Sequence, residues 1–428
     1  MTRQFGAGRA GKTGRKVFRV IRYGLYLFLS VFILLEIALR IYNPFHLRLK
    51  GDRIVLPIDQ RATITNRINP KLDPVIVNTR NSLGFRGPEP PDASTWGKRL
   101  TVITVGGSTT ECHFLSDSLT WPFLLGRRLA GSFPGCWLNN AGLDGHTTYG
   151  HLVLLNDHIK KLRPSVLLFL TGMNDVETSA PSFHDKLNTR GAYPDLKHWL
   201  FGNSEVLNLA LNLVRGWRAQ HFNNTTNAML VLHKGEERTL PEAAARRRLA
   251  AQTPFLEGYR ARLESLADTC TGNHILPVFL TQPNLFGFGL DSLTGANLET
   301  YPIAGDDSLN GGLIWKMLEE YNDVTRSVCR EKKLPLIDLA HLMPKNSLYY
   351  YDMSHFTNAG AEEVARLVDS ALAPVLMDYL RRQGIGDLLL PGRPEMVVQQ
   401  VMIRGAQQRR DMEQAHVSLK DAVILRGL

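Results

Sequence analysis

A serine, an aspartate and a histidine stand where nucleophilic chemistry could occur. Ser108 follows the apolar run Leu100–Val105 directly, within the glycine-containing segment Gly106–Thr110. Glycines permit a tight turn from strand to helix, and the first N–H groups of a helix can receive an oxyanion. The segment is typical of a nucleophile, although a serine that caps a helix in a glycine turn would have the same local sequence.

Asp352 and His355 lie three positions apart, on a loop that precedes a predicted helix near Ala359–Arg382. A carboxylate at this spacing can hold one imidazole nitrogen while the other nitrogen faces a serine. A solvated aspartate and a helix-capping histidine would explain the pair equally well if it stood alone. Its position in the chain, after Ser108 and next to a predicted helix, favours a Ser-His-Asp triad.

Two further turns after predicted strands contain hydrogen-bond donors. Asn174 follows the run Ser165–Leu170, and its side-chain N–H can point at a developing oxyanion, which is worth about 3 kcal/mol in comparable sites. Gly145 lies in a turn after a predicted strand at about Cys136–Leu138 and could donate its backbone N–H to the same oxyanion. Each turn alone is also explained by ordinary turn chemistry.

The elements that position these residues are short apolar strands alternating with helical segments. Near-continuous apolar strands are typical of a parallel sheet covered on both faces. The alternation predicts a doubly wound, three-layer α/β/α domain whose site lies at the carboxyl ends of the strands. Besides those named above, the predicted strands are His274–Thr281 and Leu334–Leu339, and the predicted helices include Trp121–Leu129, Tyr149–Leu162, Leu256–Ala267 and Leu313–Cys329.

Taken together, these segments resemble the SGNH hydrolases, also called the GDSL family, over about residues 100–380. The matching blocks are Gly107-Ser108, Asn140–Gly145, Gly172–Asp175 and Asp352–His355. The resemblance implies a flavodoxin-like parallel sheet and an ester hydrolase or O-acyltransferase that uses an acyl-serine intermediate. It implies no cofactor and no metal.

The same resemblance assigns a role to each site residue. Ser108 would be the nucleophile, His355 the base and acid, and Asp352 the residue that orients His355. The N–H groups of Ser108 and Gly145 and the side chain of Asn174 would form the oxyanion hole, with Gly142 as the alternative to Gly145.

The chain departs from the family pattern at Gly107, where the name-giving motif has Asp. That glycine, the lead-in segment Asn81–Gly87 and an N-terminal anchor resemble the membrane-tethered bacterial members. In those proteins the implied substrates are short acyl esters, acetyl above all, on envelope carbohydrates or lipids. An anchored carbohydrate-binding or assembly protein of low activity is the alternative. A phosphoesterase or nuclease is a third possibility, but the sequence lacks the clusters of carboxylates and histidines expected for their metal sites.

An apolar run at residues 23–41 is close to the ~20 residues that span a bilayer. Glu36 and Arg40, four residues apart near one end, can pair on one helix face. The preceding residues are basic and include no acidic residue: Arg3, Arg9, Lys12, Arg15, Lys16, Arg19 and Arg22. The positive-inside rule therefore predicts a cytoplasmic tail at 1–22, a transmembrane anchor at 23–41 and a periplasmic or extracellular catalytic domain. A signal peptide and a buried helix of a soluble protein are the alternatives, but no small-x-small cleavage site follows the run.

The net charge of +10 does not indicate nucleic-acid binding, because much of the excess lies in that N-terminal tail. Residues Gly6–Thr13 match the P-loop pattern, but only Met1–Phe5 precede them and a membrane span follows. A phosphate-binding loop needs a preceding buried strand in the same sheet, so no nucleotide is expected.

The remaining boundaries follow from composition. Residues 42–99 are predicted to be a linker and lead-in, 100–382 the hydrolase domain, 180–250 an insertion that could form a lid, and 383–428 a tail without an assigned role. Four cysteines match no metal-ligand spacing and could form two disulfides or remain buried thiols: Cys112, Cys136, Cys270 and Cys329.

Overall fold

The computed structural model describes residues 10–42, 49–50, 53–54, 56, 58–67, 69–181, 185, 200, 203–221 and 230–384. Parts of the predicted N-terminal tail at 1–22, of the linker and of the insertion lie outside these residues. So does almost all of the predicted C-terminal tail at 383–428. The chain divides into two compact units. One comprises Met1–Val55 and Asn188–Asn224, and the other comprises Leu56–Leu187 and Thr225–Leu428.

The helices and strands are as follows. The helices are α1 (Ala10–Ile41), α2 (Ala93–Trp96), α3 (Ser108–Glu111), α4 (Trp121–Ser132), α5 (Thr148–Leu154), α6 (Lys160–Leu162), α7 (Glu205–His221), α8 (Glu242–Ala250), α9 (Thr253–Gly272), α10 (Gly311–Lys332), α11 (Leu339–Leu342) and α12 (Asn358–Arg382). The strands are β1 (Leu49–Lys50), β2 (Arg53–Ile54), β3 (Gln60–Thr65), β4 (Val75–Arg80), β5 (Thr101–Gly106), β6 (Trp137–Asn140), β7 (Val166–Leu170), β8 (Leu276–Leu280) and β9 (Leu336–Ile337).

The larger unit contains a five-stranded parallel sheet in the order β6-β5-β7-β8-β9. The order reverses next to β5, the first strand of this sheet in the chain. In doubly wound folds this reversal opens a crevice at the carboxyl ends of the strands. The predicted flavodoxin-like α/β/α fold is confirmed.

Alternate strand residues face opposite helix layers, as the pleat of a strand requires. On one face, Val102, Leu168 and Val278 belong to a buried apolar cluster with residues of α4 and α12. On the other face, the rings of Phe169 and Phe279 stack with centroids 5.2 Å apart. Helices α5, α9 and α10 pack together as the second layer.

Most of the predicted lead-in segment, from Leu56 onward, lies in the larger unit. β3 and β4 form an antiparallel hairpin, and Arg86, only 2% exposed, pairs with Asn140 of β6 through an isolated bridge. The Arg86 guanidinium donates to the carbonyl oxygens of Glu111, Cys112 and Leu115 at 2.6–2.8 Å. This polar segment therefore supplies a buried cation to the loop after Ser108.

The smaller unit contains α1, whose segment Phe18–Ile41 is long and apolar enough to cross a membrane. The helix begins at Ala10, so the second half of the predicted basic tail is helical. By length and composition the same segment could be a signal sequence.

All four cysteines are free thiols in the structure. Burial raises the pKa of Cys112, Cys136, Cys270 and Cys329 to about 12. Of the two alternatives, the structure therefore contains thiols that are un-ionised at neutral pH.

Candidate active site

Ser108 is the first residue of α3 and follows the buried end of β5. The strand ends at Gly106, and Gly107 occupies the N-cap position of the helix. Helix α3 is one turn long and closes with Cys112 in the left-handed conformation. This strand-to-helix turn leaves the Ser108 side chain half-buried at the carboxyl edge of the sheet.

Ser108, His355 and Asp352 form one chain of hydrogen bonds. His355 Nε2 lies 2.7 Å from Ser108 Oγ, and His355 Nδ1 lies 2.6 Å from Asp352 Oδ2. An ionised Asp352 can only accept, so Nδ1 carries the proton and Nε2 accepts from the serine hydroxyl. The arrangement can therefore remove the Ser108 proton as the oxygen attacks an electrophile.

The loop around Asp352 holds the carboxylate and the imidazole together. The second carboxylate oxygen, Oδ1, accepts the backbone N–H groups of Ser354 and His355, each at 2.8 Å. Tyr351 stacks parallel to the His355 ring at a centroid distance of 5.5 Å. The imidazole is therefore fixed on one face by an aromatic ring and at Nδ1 by a carboxylate.

The pKa of His355 reflects two opposing effects. Burial lowers it, but the hydrogen bond and negative charge of Asp352, together with the charge of Asp144, outweigh burial and raise it above its ordinary value. For Asp352, burial acts in the opposite direction and raises the pKa, but the hydrogen bonds of its carboxylate, first of all with His355, lower the pKa overall. A base with a raised pKa binds its proton more strongly and is fully available only above that pKa.

Asn174 lies beside the turn that contains Gly107 and Ser108. It lies in a 3-10 turn, Met173–Asp175, after β7, and its Nδ2 donates to the backbone carbonyl of His146 at 2.9 Å. A side-chain amide has two N–H donors, so one remains for a ligand. Asn174 and Ser108 line the same cavity.

Gly145 lies between two anchored neighbours. The Asp144 N–H donates to Glu111 Oε2 at 2.6 Å, and the His146 carbonyl accepts from Asn174. Gly145 has a φ of +71°, which favours glycine. Within the described part of the chain, its N–H donates to no other group.

The alternative donor, Gly142, is already engaged. Its N–H donates to Asn140 Oδ1 at 2.9 Å, and the residue is buried. A buried N–H with a good acceptor gains nothing by exchanging it for a ligand. The geometry favours Gly145 over Gly142.

A buried ion pair that involves α3 was absent from the sequence prediction. Glu111 is completely buried and pairs with Arg80 of β4. Because Glu111 Oε2 also accepts the Asp144 N–H, the pair links the lead-in hairpin, α3 and the turn that contains Gly145. Its members are 31 residues apart in the chain, and nothing in the local sequence marks them as partners.

A second buried network holds the turn that contains Asn174. Asp175 accepts the backbone N–H of Thr148 at 3.0 Å and its hydroxyl at 2.5 Å, and it also accepts Arg262 Nη2 at 3.2 Å. Burial raises the pKa of Asp175 to about 6 despite these bonds. Asp175 was visible in the matching block Gly172–Asp175, but its role as a support was not predicted.

Two small cavities, open to solvent, adjoin Ser108. One, of about 240 Å³, is lined by Gly107, Asn174, Thr171 and Gln282, among others. The other, of about 180 Å³, is lined by Phe114, Leu115, Tyr351, His355 and Phe356, together with Cys112 and Thr109. Within the described residues, no group of three or more His, Cys, Asp or Glu side chains is arranged to hold a metal ion.

Comparison with known proteins gives one family and a set of distant structures. The model of the GDSL-like lipase/acylhydrolase family matches residues 103–363, more than half of the chain. No curated protein matches the sequence.

Similar solved structures align with this chain over almost their whole length, but they share little sequence with it. They include a protein described as a lipolytic protein of the G-D-S-L family from Desulfitobacterium hafniense DCB-2, at 12% identity and a TM-score of 0.36, covering 64% of this chain and 99% of that one. Another is Axe2, an acetylxylan esterase from Geobacillus stearothermophilus, at 13% identity and a TM-score of 0.35, covering 68% and 96%. A third is LAE5, an α/β hydrolase from the metagenome of Lake Arreo, Spain, at 15% identity and a TM-score of 0.36, covering 64% and 94%.

Proposed function

Because the chain belongs to the GDSL-like lipase/acylhydrolase family, and is thus an SGNH-type ester hydrolase, we propose that it cleaves or transfers short acyl groups through an acyl-Ser108 intermediate. The observation that carries this proposal is the hydrogen-bonded chain from Ser108 through His355 to Asp352.

The first half of the reaction forms the acyl-enzyme. Ser108 Oγ attacks the ester carbonyl carbon while its proton passes to His355 Nε2. The carbonyl oxygen becomes negative and accepts hydrogen bonds from the N–H groups of Ser108 and Gly145 and from Asn174 Nδ2. When the C–O bond to the alcohol breaks, His355 returns the proton to the departing oxygen.

The second half repeats these steps with a new nucleophile. Water or a sugar hydroxyl gives its proton to His355 Nε2 and attacks the acyl carbon, and the Ser108 oxygen leaves with that proton. Asp352 stays ionised throughout and stabilises the imidazolium. Each half restores the starting protonation state, so the cycle needs no cofactor.

The small cavities beside Ser108 support a short acyl group, such as acetyl. We propose an acetyl or similarly short ester on an envelope carbohydrate or lipid as the substrate class. The envelope location rests on α1 as an uncleaved anchor with a cytoplasmic N-terminus, as its basic flank predicts. Membrane fractions washed with carbonate should retain a chain whose intact mass includes residues 1–41, whereas a cleaved signal peptide would leave a shorter, soluble chain.

The direct test uses p-nitrophenyl esters of increasing acyl length and a fluorophosphonate probe. We expect wild-type protein to hydrolyse the acetyl ester faster than the octanoyl ester and to label at Ser108. Ser108→Ala should lose both activities, while Ser370→Ala, which changes a serine on α12, should keep both. A folded wild-type protein that neither labels nor hydrolyses would instead favour the carbohydrate-binding alternative. Adding a sugar alcohol and measuring its acetylation distinguishes transfer from hydrolysis.

A further inference from the structure

Glu36 is an acidic residue inside the apolar helix α1, and its carboxylate has a specific set of partners. It accepts the Ser204 hydroxyl at 2.8 Å and the backbone N–H groups of Glu205 and Val206 at 3.1 and 3.2 Å. Glu205 and Val206 begin α7. The carboxylate therefore satisfies N–H groups that the first turn of a helix leaves unpaired, and it lies at the positive end of that helix dipole.

Arg40 completes the contact. Its Nε donates to Glu36 Oε1 at 2.8 Å, as the spacing of the two residues predicts, and its Nη2 donates to the backbone carbonyl of Asn203. The Glu36 side chain is only 15% exposed. A charge in an apolar span is costly unless it is paired, and here its partners come from Arg40 and from the start of α7.

The position of Glu36 fixes the depth of this contact. Glu36 lies about 8 Å before α1 ends at Ile41, at about 1.5 Å per residue. The segment Phe18–Ile41 is long enough to cross a hydrocarbon core of about 30 Å. If α1 spans the bilayer, α7 therefore begins near the boundary between acyl chains and headgroups on the side where α1 ends.

Helix α7 has the composition of an interfacial helix. It contains no charged residue from Val206 to Val214, and the sequence then continues with Arg215, Trp217 and Arg218, residue types that favour the headgroup region. Leu213 and Val214 are 64% and 48% exposed. The helix has 17 residues and its uncharged stretch ends at Val214, so it is too short for a second span, which needs about 20 predominantly apolar residues.

We propose that α7 is a membrane-binding helix that lies in the lipid interface beside α1, with Leu213 and Val214 against the acyl chains. The partner of this apolar surface is the bilayer, because the backbone N–H groups at the start of α7 bind Glu36, a residue of the proposed span. The inference rests on the proposed anchor and is independent of the proposed esterase chemistry. It gives part of the predicted insertion a role in membrane attachment.

The test measures the depth of a nitroxide in the full-length protein, reconstituted in phosphatidylcholine-phosphatidylglycerol vesicles. Leu213→Cys and Val214→Cys carry the label in a Cys136→Ser background, since the other three cysteines are buried. Leu27→Cys, within the span, gives the deep reference, and Glu237→Cys, an exposed loop residue of the larger unit, gives the reference for a label outside the bilayer. Collision with dissolved oxygen and with a water-soluble nickel chelate is measured at each position.

We expect the oxygen-to-nickel ratio at positions 213 and 214 to exceed that at 237 several-fold and to lie below that at 27. Ratios equal to that at 237 would overturn the inference while leaving the anchor intact. Low collision with both reagents would also overturn it, in favour of a contact with a second copy or another protein. An aqueous ratio at position 27 would overturn the anchor and this inference together. Hydrolysis of p-nitrophenyl acetate, measured in the same samples, reports separately on the esterase proposal.

Discussion

Gly107 and Asn174 are in close contact, since a Cβ atom at Gly107 would overlap the Asn174 side-chain nitrogen. Gly107 has an ordinary extended conformation, with φ −84° and ψ −151°, so its backbone does not require glycine. Any side chain at position 107 would instead have to displace the Asn174 amide. The departure from the aspartate of the GDSL motif is therefore coupled to the position of the proposed oxyanion donor.

Restoring the family residue should reduce activity. In Gly107→Asp or Gly107→Ala, the new side chain displaces the Asn174 amide, and we expect kcat to fall by about 10²- to 10³-fold, the usual cost of one oxyanion donor. Gly131→Ala is the matched control, because a Cβ atom there meets open space. Steady-state kinetics with p-nitrophenyl acetate give the values. Wild-type activity in Gly107→Asp would show that Asn174 is not the donor.

The pH dependence should follow His355. The reaction needs neutral His355, so kcat/KM rises with pH through the His355 pKa, which lies above its ordinary value. Asp352→Asn removes the main group that raises this pKa. We expect the acid limb of the profile to move to lower pH while the plateau falls by about 10³- to 10⁴-fold, because the imidazole loses its orientation.

Asp144→Asn provides the matched measurement for that profile. Asp144 contributes charge to His355 without a hydrogen bond to the ring. In Asp144→Asn, the acid limb of the kcat/KM profile should therefore move slightly to lower pH, with little change in the plateau. An unchanged limb in both variants would show that another group controls the pH dependence.

The Arg80–Glu111 pair should affect stability and catalysis separately. Glu111→Leu leaves Arg80 buried without its carboxylate and should lower the free energy of unfolding by about 3–5 kcal/mol. The double variant Arg80→Met with Glu111→Leu removes both charges and should regain most of that stability. The kcat of both the single and the double variant should be lower than that of wild type, because the Asp144 N–H beside Gly145 has lost its acceptor. A double variant with wild-type kcat would show that the pair does not position Gly145.

Arg86 should be essential to the fold of the lead-in. In Arg86→Lys the charge remains, but one ammonium cannot reach the three carbonyl oxygens that the guanidinium binds. We expect the free energy of unfolding to fall by about 3 kcal/mol, given about 1–3 kcal/mol for each buried group left unpaired. Scanning fluorimetry of the detergent-solubilised protein would show this as a lower melting temperature. Arg61→Lys, on the exposed side of β3, should melt like wild type.

The sequence was sufficient for the features that depend on local patterns. Val166–Leu170 is a continuous apolar run, so the sequence predicts a strand buried on both faces. Asp352 and His355 are close enough in the chain to be recognised as a pair. The predicted helix Tyr149–Leu162 is present, but a π-helical turn at Leu155–Ile159 divides it, and no residue type marks such a turn.

The features that escaped prediction depend on distant polar contacts. The lead-in is polar in composition, which is typical of a linker, yet Arg86 and Arg80 are buried because their partners come from the segment after Ser108. Gly145 was predicted ahead of Gly142, but the physical reason that now favours it, the acceptor that the Gly142 N–H already has, depends on the fold. Composition cannot show this, since both glycines belong to the same turn.

His355 lies 247 residues beyond Ser108 in the chain. Ribosomes make the proposed nucleophile early and its proposed base late, and domains fold as the chain emerges. A nascent chain that ends before β9 therefore contains a serine with nothing to deprotonate it. On the proposed mechanism, ester cleavage must await synthesis of the loop that contains His355, so a partly made protein is harmless to the esters around it, and the appearance of activity reports that this loop is in place.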